Sequence, residues 1–181
     1  FARTVNLRPG DVAGMESLGV ESPGPPEGPN TAAFDRCAGA GPMQAVLEMR
    51  SPLFVRGSSA FGAAVRSRVT VMSSEGLARG NLATEDSARA LRCELRAGST
   101  SVSRLSVLLA AGIRITGVRI AVPVTRAGAH AVGYHDLLRF VTGPAEIGLT
   151  TVAFAHPLSS TIERRLLDVL YRRATEARVR L

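Results

Sequence analysis

The strongest pattern of apolar and polar positions lies at the carboxyl end of the chain. Apolar residues recur there at helical spacing, while arginines and acidic residues fill the other side. Ser160 and Glu163 stand three residues apart, as in a capping box, where two side chains close the first turn of a helix. The pattern predicts a helix over 160–178 that begins at this pair.

Alternating patterns upstream predict strands. Between 64 and 72, valines alternate with arginines, and Ser67 shares the valine side. Such a one-sided strand is typical of an antiparallel sheet with one solvent-facing side, or of a sheet edge. Two further strands are predicted over 130–141 and 145–155, joined by a tight turn at 142–144.

The segment 101–125 also has strand character, with two apolar runs separated by Ala111-Gly112. The isoleucines that open the second run stand at odd-numbered positions, whereas the apolar residues from Val118 onward stand at even-numbered positions. Because successive strand residues face opposite sides of a sheet, this change of parity predicts a β-bulge at Thr116-Gly117.

Two helices are predicted before residue 100. A short one covers 31–37, and a longer one covers 84–97, with Thr84 as its N-cap and acidic residues in the first turn. Residues 22–30 hold four prolines and two glycines, a composition that predicts an exposed loop.

Together these elements predict one α+β domain over 1–181. Adjacent strands joined by short turns pair antiparallel, and helices that alternate irregularly with runs of strands pack against such a sheet. The expected architecture is a central antiparallel sheet packed against the two longer helices, at 84–97 and 160–178.

Every basic residue is an arginine, since the 22 basic residues include no lysine. This excludes phosphate-binding loops of the Walker type, protein kinases, and Schiff-base or pyridoxal-phosphate enzymes, because each needs a lysine side chain. The simplest explanation of the bias is codon usage in a GC-rich genome.

The net charge of +7 is compatible with an anionic partner. The arginines are spread along the whole chain, however, which is typical of a solvated surface. Two tyrosines and six phenylalanines, mostly at core-like positions, provide no platform for stacking bases, so nucleic-acid binding is only a third hypothesis. No apolar run in the sequence is long enough to span a bilayer.

Few residues indicate catalysis. His130, His135 and His156 are the only histidines, and they are not spaced as metal ligands. His135 and Asp136 are neighbours in a strand, so they face opposite sides of the sheet and cannot form a dyad with each other. We therefore predict no catalytic, cofactor-binding or metal-binding residue; a secreted hydrolase that uses a serine and one histidine is the alternative.

Asp136 is the one acidic residue with an unusual setting, because it lies among apolar residues on one face of a predicted strand. Two interpretations are open. The carboxylate is either a polar anchor in a ligand cleft or a structural group, paired with an arginine or placed at a strand end.

The two cysteines, Cys37 and Cys93, lie in the two helices predicted before residue 100. Their spacing leaves two alternatives. A disulfide would stabilise the fold by roughly 4 kcal/mol, whereas two free buried thiols would be typical of a cytosolic protein.

Short motifs occur in order along nearly the whole chain. They are LRPGDVAG at 7–14, RCAG at 36–39, SPLF at 51–54, SRVTVMS at 67–73, SAR at 87–89 with Cys93, DLLRFVTG at 136–143, AEIGL at 145–149, and ERRLLDVL at 163–170 with Arg173-Ala174. In this order they resemble a group of actinobacterial exported proteins, many of them predicted lipoproteins. That group is similar to mycobacterial lipoproteins and sensor domains with a Mog1/PsbP-like fold, in which a central antiparallel sheet is packed between helices.

The resemblance implies export, with a signal peptide or lipid anchor upstream of Phe1, and therefore a disulfide between Cys37 and Cys93. It implies no cofactor and no catalytic residue. The expected function is that of a non-enzymatic extracytoplasmic protein at the cell envelope, which binds a protein partner or an apolar small ligand between sheet and helix.

Overall fold

The structure, a computed structural model, describes residues 1–24, 29–39, 45–57, 62–96, 99–126 and 129–177. The helices in these ranges are α1 (Ala2–Val5), α2 (Pro29–Ala38), α3 (Glu75–Glu85), α4 (Ala88–Arg96) and α5 (Ser160–Glu176). The strands are β1 (Glu16–Leu18), β2 (Ser22–Pro23), β3 (Ala45–Arg50), β4 (Leu53–Arg56), β5 (Ala63–Met72), β6 (Ser101–Leu108), β7 (Arg114–Arg126), β8 (Ala129–Thr142) and β9 (Ala145–Phe154).

These strands form one antiparallel sheet. Its main order is β1, β4, β5, β9, β8, β7, β6, and β3 joins β5 alongside β4, with β2 on its outer side. The predicted hairpin is confirmed, because β8 and β9 pair from Thr142 and Ala145 onward. Gly143 lies in the turn with a φ of 53°, a left-handed conformation that favours glycine. The predicted α+β architecture with a central antiparallel sheet is therefore confirmed.

One side of the sheet, which we call the α5 face, carries the hydrophobic core. Alternate residues of β5, β8 and β9, among them Val69, Leu138 and Ile147, point to this side and are completely buried. Helix α5 packs over them with its apolar stripe, in which Leu167 and Leu170 are also completely buried. The predicted helix over 160–178 is confirmed up to Glu176.

The other side, which we call the α4 face, lies beneath α2, α3 and α4. It carries the residues of opposite parity, among them Arg66 and Arg68 of β5. Strand β5 lies inside the sheet, because it pairs with β4 on one side and with β9 on the other. Its arginines are only partly exposed. The expectation of a solvent-facing side or a sheet edge was wrong, because three short helices cover this side.

The β-bulge predicted at Thr116-Gly117 does not exist. Strand β7 pairs with β6 and with β8 in one uninterrupted register on either side of these residues. The parity changes because each end of β7 buries a different side: Ile115 is buried at one end, and Val118 and Ile120 on the other side further along. Gly117 is needed for close packing, since a Cβ there would lie 2.1 Å from the carbonyl oxygen of Leu137.

The helix predicted over 84–97 begins at Ala88, as α4, and Thr84 is not its N-cap, because Thr84 lies in the last turn of a separate helix, α3. Helix α3 begins after Ser74, whose hydroxyl accepts a hydrogen bond from the backbone of Leu77, and it ends at Glu85. The sequence did not indicate α3 because two glycines lower its helix propensity. Since both helices are short, the expectation of two longer helices holds for α5 alone among the described helices.

Both ends of the loop predicted over 22–30 belong to regular elements. Ser22 and Pro23 pair with β3 at the edge of the sheet, where a proline is tolerated. Helix α2 begins at Pro29, and a proline is also tolerated in the first turn of a helix. Residues 25–28 lie outside the described part of the chain. Strands β3 and β4 were also not predicted, because each has too few residues to show a pattern.

Candidate functional site

A cleft of about 380 Å³ opens on the α4 face, between the sheet and helices α2 and α4. Its floor is formed by β5, β8 and β9, and its roof by residues of α2 and α4, including Phe34 and Leu91. Four arginines line it, together with His135 and several carboxylates: Arg50, Arg66, Arg68 and Arg139, with Asp35, Glu85 and Glu94. The volume is in the range of sites for small ligands.

Three of these arginines stand in one row across the sheet. In register, Arg50 lies opposite Arg68, Arg68 opposite Gly148, and Gly148 opposite Arg139. Like charges placed opposite each other destabilise a sheet unless they are neutralised. The row therefore requires carboxylates close by.

Each arginine of the row has an acidic partner. Arg50 lies 2.8 Å from Glu48, and Arg68 lies 3.3 Å from Glu146, which also accepts a hydrogen bond from Asn81 of α3. Arg139 contacts both Glu85 and Asp86 where α3 ends. Burial lowers the pKa of Arg139 to about 10, so that this guanidinium stays charged at neutral pH.

Arg66 differs from the other three. Within the described residues no carboxylate forms an ion pair with it. Its Nε is buried without a hydrogen-bond acceptor, as is the Nε of Arg139, but the guanidinium of Arg139 is paired with Glu85 and Asp86. Buried guanidinium groups are normally paired, because an unpaired charge away from water is costly. Arg66 is therefore the arginine of the cleft whose charge the described residues leave without an ion-pair partner.

Two titratable groups face the same cleft without an ion-pair partner in the described chain. Glu94 of α4 is half-buried, and burial raises the pKa of its carboxyl group. Burial lowers the pKa of His135, with a smaller opposing effect from the charge of Asp136, so the imidazole is neutral at pH 7. A neutral imidazole can donate one hydrogen bond and accept another.

The roof of the cleft is fixed by a disulfide. Cys37 of α2 and Cys93 of α4 are bonded, with 5.9 Å between their Cα atoms, which confirms the predicted pair. Arg89 adds a hydrogen bond to the carbonyl oxygen of Cys37. Helix α2 is therefore attached to α4 covalently, and Phe34 is held over the floor.

Asp136 is not part of this cleft. It lies on the α5 face, 1% exposed, and both of its oxygens accept hydrogen bonds from Arg119, at 2.8 and 2.6 Å. The interpretation as a cleft anchor was wrong, and the ion-pair interpretation describes the residue. As predicted, His135 faces the opposite side of the sheet from Asp136.

Glu163 does not cap α5. The helix has Ser159 as its N-cap, without a side-chain hydrogen bond, and Glu163 points inward, 2% exposed, toward Asp136 and Thr151. The reason is its spacing, since Glu163 shares the inward stripe with Leu167 and Leu170. Burial and the adjacent carboxylate of Asp136 raise the pKa of Glu163 to about 8.

The described residues offer little support for hydrolase chemistry. A contact between a histidine and a hydroxyl group joins His130 to Thr125, 2.9 Å apart, and it is exposed on the β7–β8 hairpin, away from the cleft. In the ranges that the structure describes, no three histidine, cysteine or acidic side chains converge as a metal site would need. None of the described helices has the length and apolar content to cross a bilayer.

No family model matches the chain, and no curated protein matches it. Among solved structures, the fold is similar to that of the extracellular domain of PknH from Mycobacterium tuberculosis. The TM-score is 0.51 and the identity 6%, over 96% of this chain and 95% of that one. Because the identity is so low, this likeness concerns the fold alone.

The sequence did not single out the cleft residues, although part of the signal was present. Arg66 and Arg68 have the same parity in β5, as His135 and Arg139 do in β8, so each pair shares a face. What the sequence does not contain is the pairing of β5, β9 and β8, which places these residues side by side. The partners of three arginines, and the lack of one at Arg66, follow from that arrangement.

Proposed function

We propose that the protein is a non-enzymatic extracytoplasmic domain that binds a small ligand in the cleft between the α4 face and helices α2 and α4. The observation that carries this proposal is Arg66, a partly buried arginine without an acidic partner in the described chain, in a cleft of about 380 Å³. Binding sites of this kind combine apolar walls with a few polar groups that fix the ligand.

The lining also indicates what the ligand contacts. Phe34, Leu91, Val118 and Leu137 provide apolar walls, so a ligand with an apolar body suits the cleft. A purely apolar ligand would leave Arg66 unpaired, and we therefore expect a polar group as well. The volume of the cleft is of the size that a small molecule fills, whereas a protein partner would bury a much larger surface area.

An extracytoplasmic location is supported by the disulfide, since such bonds persist in oxidising compartments and are rare in the cytosol. The likeness in fold to an extracellular domain is consistent with it. Attachment to the membrane through a lipid anchor, and membership of a Mog1/PsbP-like fold group, stay predictions.

Paired native and denaturing mass spectrometry on protein exported by its own kind of host tests both parts of the proposal. Extra mass in the native spectrum alone would support a bound small ligand, and its fragmentation would give the chemical class. A bare, disulfide-bonded mass would contradict ligand capture and favour a protein partner. Two free thiols would contradict export.

A further inference from the structure

The charges that line the cleft are balanced with two exceptions. Arg50, Arg68 and Arg139 each contact a carboxylate. Arg66 and Glu94 do not, within the residues that the structure describes, and they do not form an ion pair with each other. The cleft therefore contains one unpaired positive group and one unpaired negative group.

These two groups approach the cleft from opposite sides. Arg66 projects from β5 in the floor, and its Nε is buried, so that edge of the guanidinium is screened from water. Glu94 projects from α4 in the roof and is half-buried, as the raised pKa of its carboxyl group reflects. A guanidinium edge is suited to a carboxylate or phosphate oxygen pair, and a carboxylate is suited to an ammonium group.

The helices cannot easily close the gap between the two groups. Helix α4 is held by its disulfide to α2 and by the contact of Glu85 and Asp86, just before it, with Arg139 of β8. Apolar and neutral polar side chains, among them Leu137 and the uncharged His135, line the same cleft as the two charges. A bound molecule must therefore supply the missing partners itself.

We propose that the cleft binds a small zwitterion, whose anionic group pairs with Arg66 and whose cationic group pairs with Glu94. This inference rests on the proposed function and names the charge class of its ligand. A molecule with a carboxylate or phosphate at one end and an amine at the other satisfies both groups, and its net charge leaves the balance of the cleft unchanged. A short apolar middle suits Leu137 and Val118.

The test is a titration followed by the backbone amide signals of His135 and Gly148 in two-dimensional NMR. The probes are straight-chain ω-amino acids of increasing length, with the matched alkyl carboxylate, alkyl ammonium and alkyl alcohol. We expect one ω-amino acid to bind at least about tenfold more tightly than each matched probe, the effect of one charged hydrogen bond.

Variants assign the two ends. With Arg66→Gln the ω-amino acid should bind no more tightly than the alkyl ammonium, and with Glu94→Gln no more tightly than the alkyl carboxylate. Arg66→Lys keeps the charge but loses the planar guanidinium, so it should retain part of the preference and guards against a folding defect. Arg172→Gln and Glu176→Gln, exposed on α5, should leave all affinities unchanged.

The possible results separate this inference from the proposed function. If the alkyl alcohol or carboxylate binds in the cleft as tightly as the ω-amino acid, small-ligand binding stands and the zwitterion is wrong. If the control variants weaken binding as much as the cleft variants, the assignment to Arg66 and Glu94 is also wrong. If no probe shifts the cleft amides, both the inference and the proposed function are contradicted.

Discussion

The two faces of the sheet are filled in different ways. On the α5 face, one long helix closes a continuous apolar core, and its polar groups, Asp136 and Glu163, are buried against Arg119. On the α4 face, three short helices stand over a layer of arginines and leave a cleft. The first face is stabilised by packing, whereas the second depends on ion pairs and a disulfide. Binding groups can therefore accumulate on the α4 face at little cost to the core.

The largest difference between the faces should follow removal of the disulfide. It closes a loop with a sequence separation of 56 residues, and loop-closure entropy alone predicts that Cys37→Ser with Cys93→Ser lowers the free energy of unfolding by about 4 kcal/mol. Urea denaturation measures this loss. Hydrogen exchange should show faster exchange in α2 and α4 while α5 remains protected, because only the α4 face loses its covalent link.

Reduction of the unmutated protein with a mild thiol reductant is the matched experiment. It should give the same pattern of exchange without any substitution. Equal deprotection of α5 and α2 would contradict the separation of the two faces, since it would show that the disulfide supports the whole fold.

The second effect concerns packing. Leu167 is completely buried in the core, so Leu167→Ala should lower the free energy of unfolding by about 3 kcal/mol. Leu91→Ala removes the same atoms from the partly exposed roof of the cleft and should cost about 1 kcal/mol. Urea denaturation of the pair gives the comparison directly, and equal losses would mean that the roof is packed as tightly as the core.

This contrast also explains what could be predicted from the sequence. The α5 face follows from local periodicity: the stripe of α5 and the parity of β8 and β9 both point apolar residues toward one side. The α4 face does not, because α3 is weakened by glycines and β3 and β4 are too short to show a pattern. The disulfide was predicted from the resemblance to exported proteins, since the spacing of the two cysteines was equally compatible with free thiols.

The candidate site was the least predictable part. Asp136 stood out as an acidic residue among apolar ones, yet its role is structural, because Arg119 lies directly opposite it on β7. Arg66 was inconspicuous among 22 basic residues. Whether an arginine has a partner depends on contacts between distant strands, which no local pattern records.

The third effect is a dependence of stability on pH that originates on the α5 face. The pKa of Glu163 is raised from its usual 4.5 to about 8, so the folded state holds a proton that the unfolded chain has lost between these values. Stability should therefore fall as pH rises through this range, by about 2 kcal/mol between pH 6.5 and pH 8. Urea denaturation at several pH values measures the slope.

Glu163→Gln should remove that slope, because the amide keeps a hydrogen-bond donor and cannot ionise. The pKa of His135 is lowered, so its effect on stability has the opposite sign: stability rises as pH rises toward 6.5. His135 therefore does not contribute to the slope above that pH. Glu94→Gln, on the α4 face, is the control and should leave the slope above pH 6.5 unchanged. A slope that persists in Glu163→Gln would show that another group holds the proton.

The smallest expected effect is the most informative about the cleft. Arg66 lacks an acidic partner in the described chain and buries an unsatisfied N–H, so Arg66→Met should leave the free energy of unfolding unchanged or raise it by up to about 1 kcal/mol. Arg50→Met, on the same face, breaks a partly exposed pair with Glu48 and should lower it by up to about 1 kcal/mol. Urea denaturation of both variants gives the sign of each change. A binding site often retains a residue that lowers the stability of the fold, and Arg66 would be such a residue. If Arg66→Met instead lowers the free energy of unfolding as much as Arg50→Met does, Arg66 is one more structural arginine.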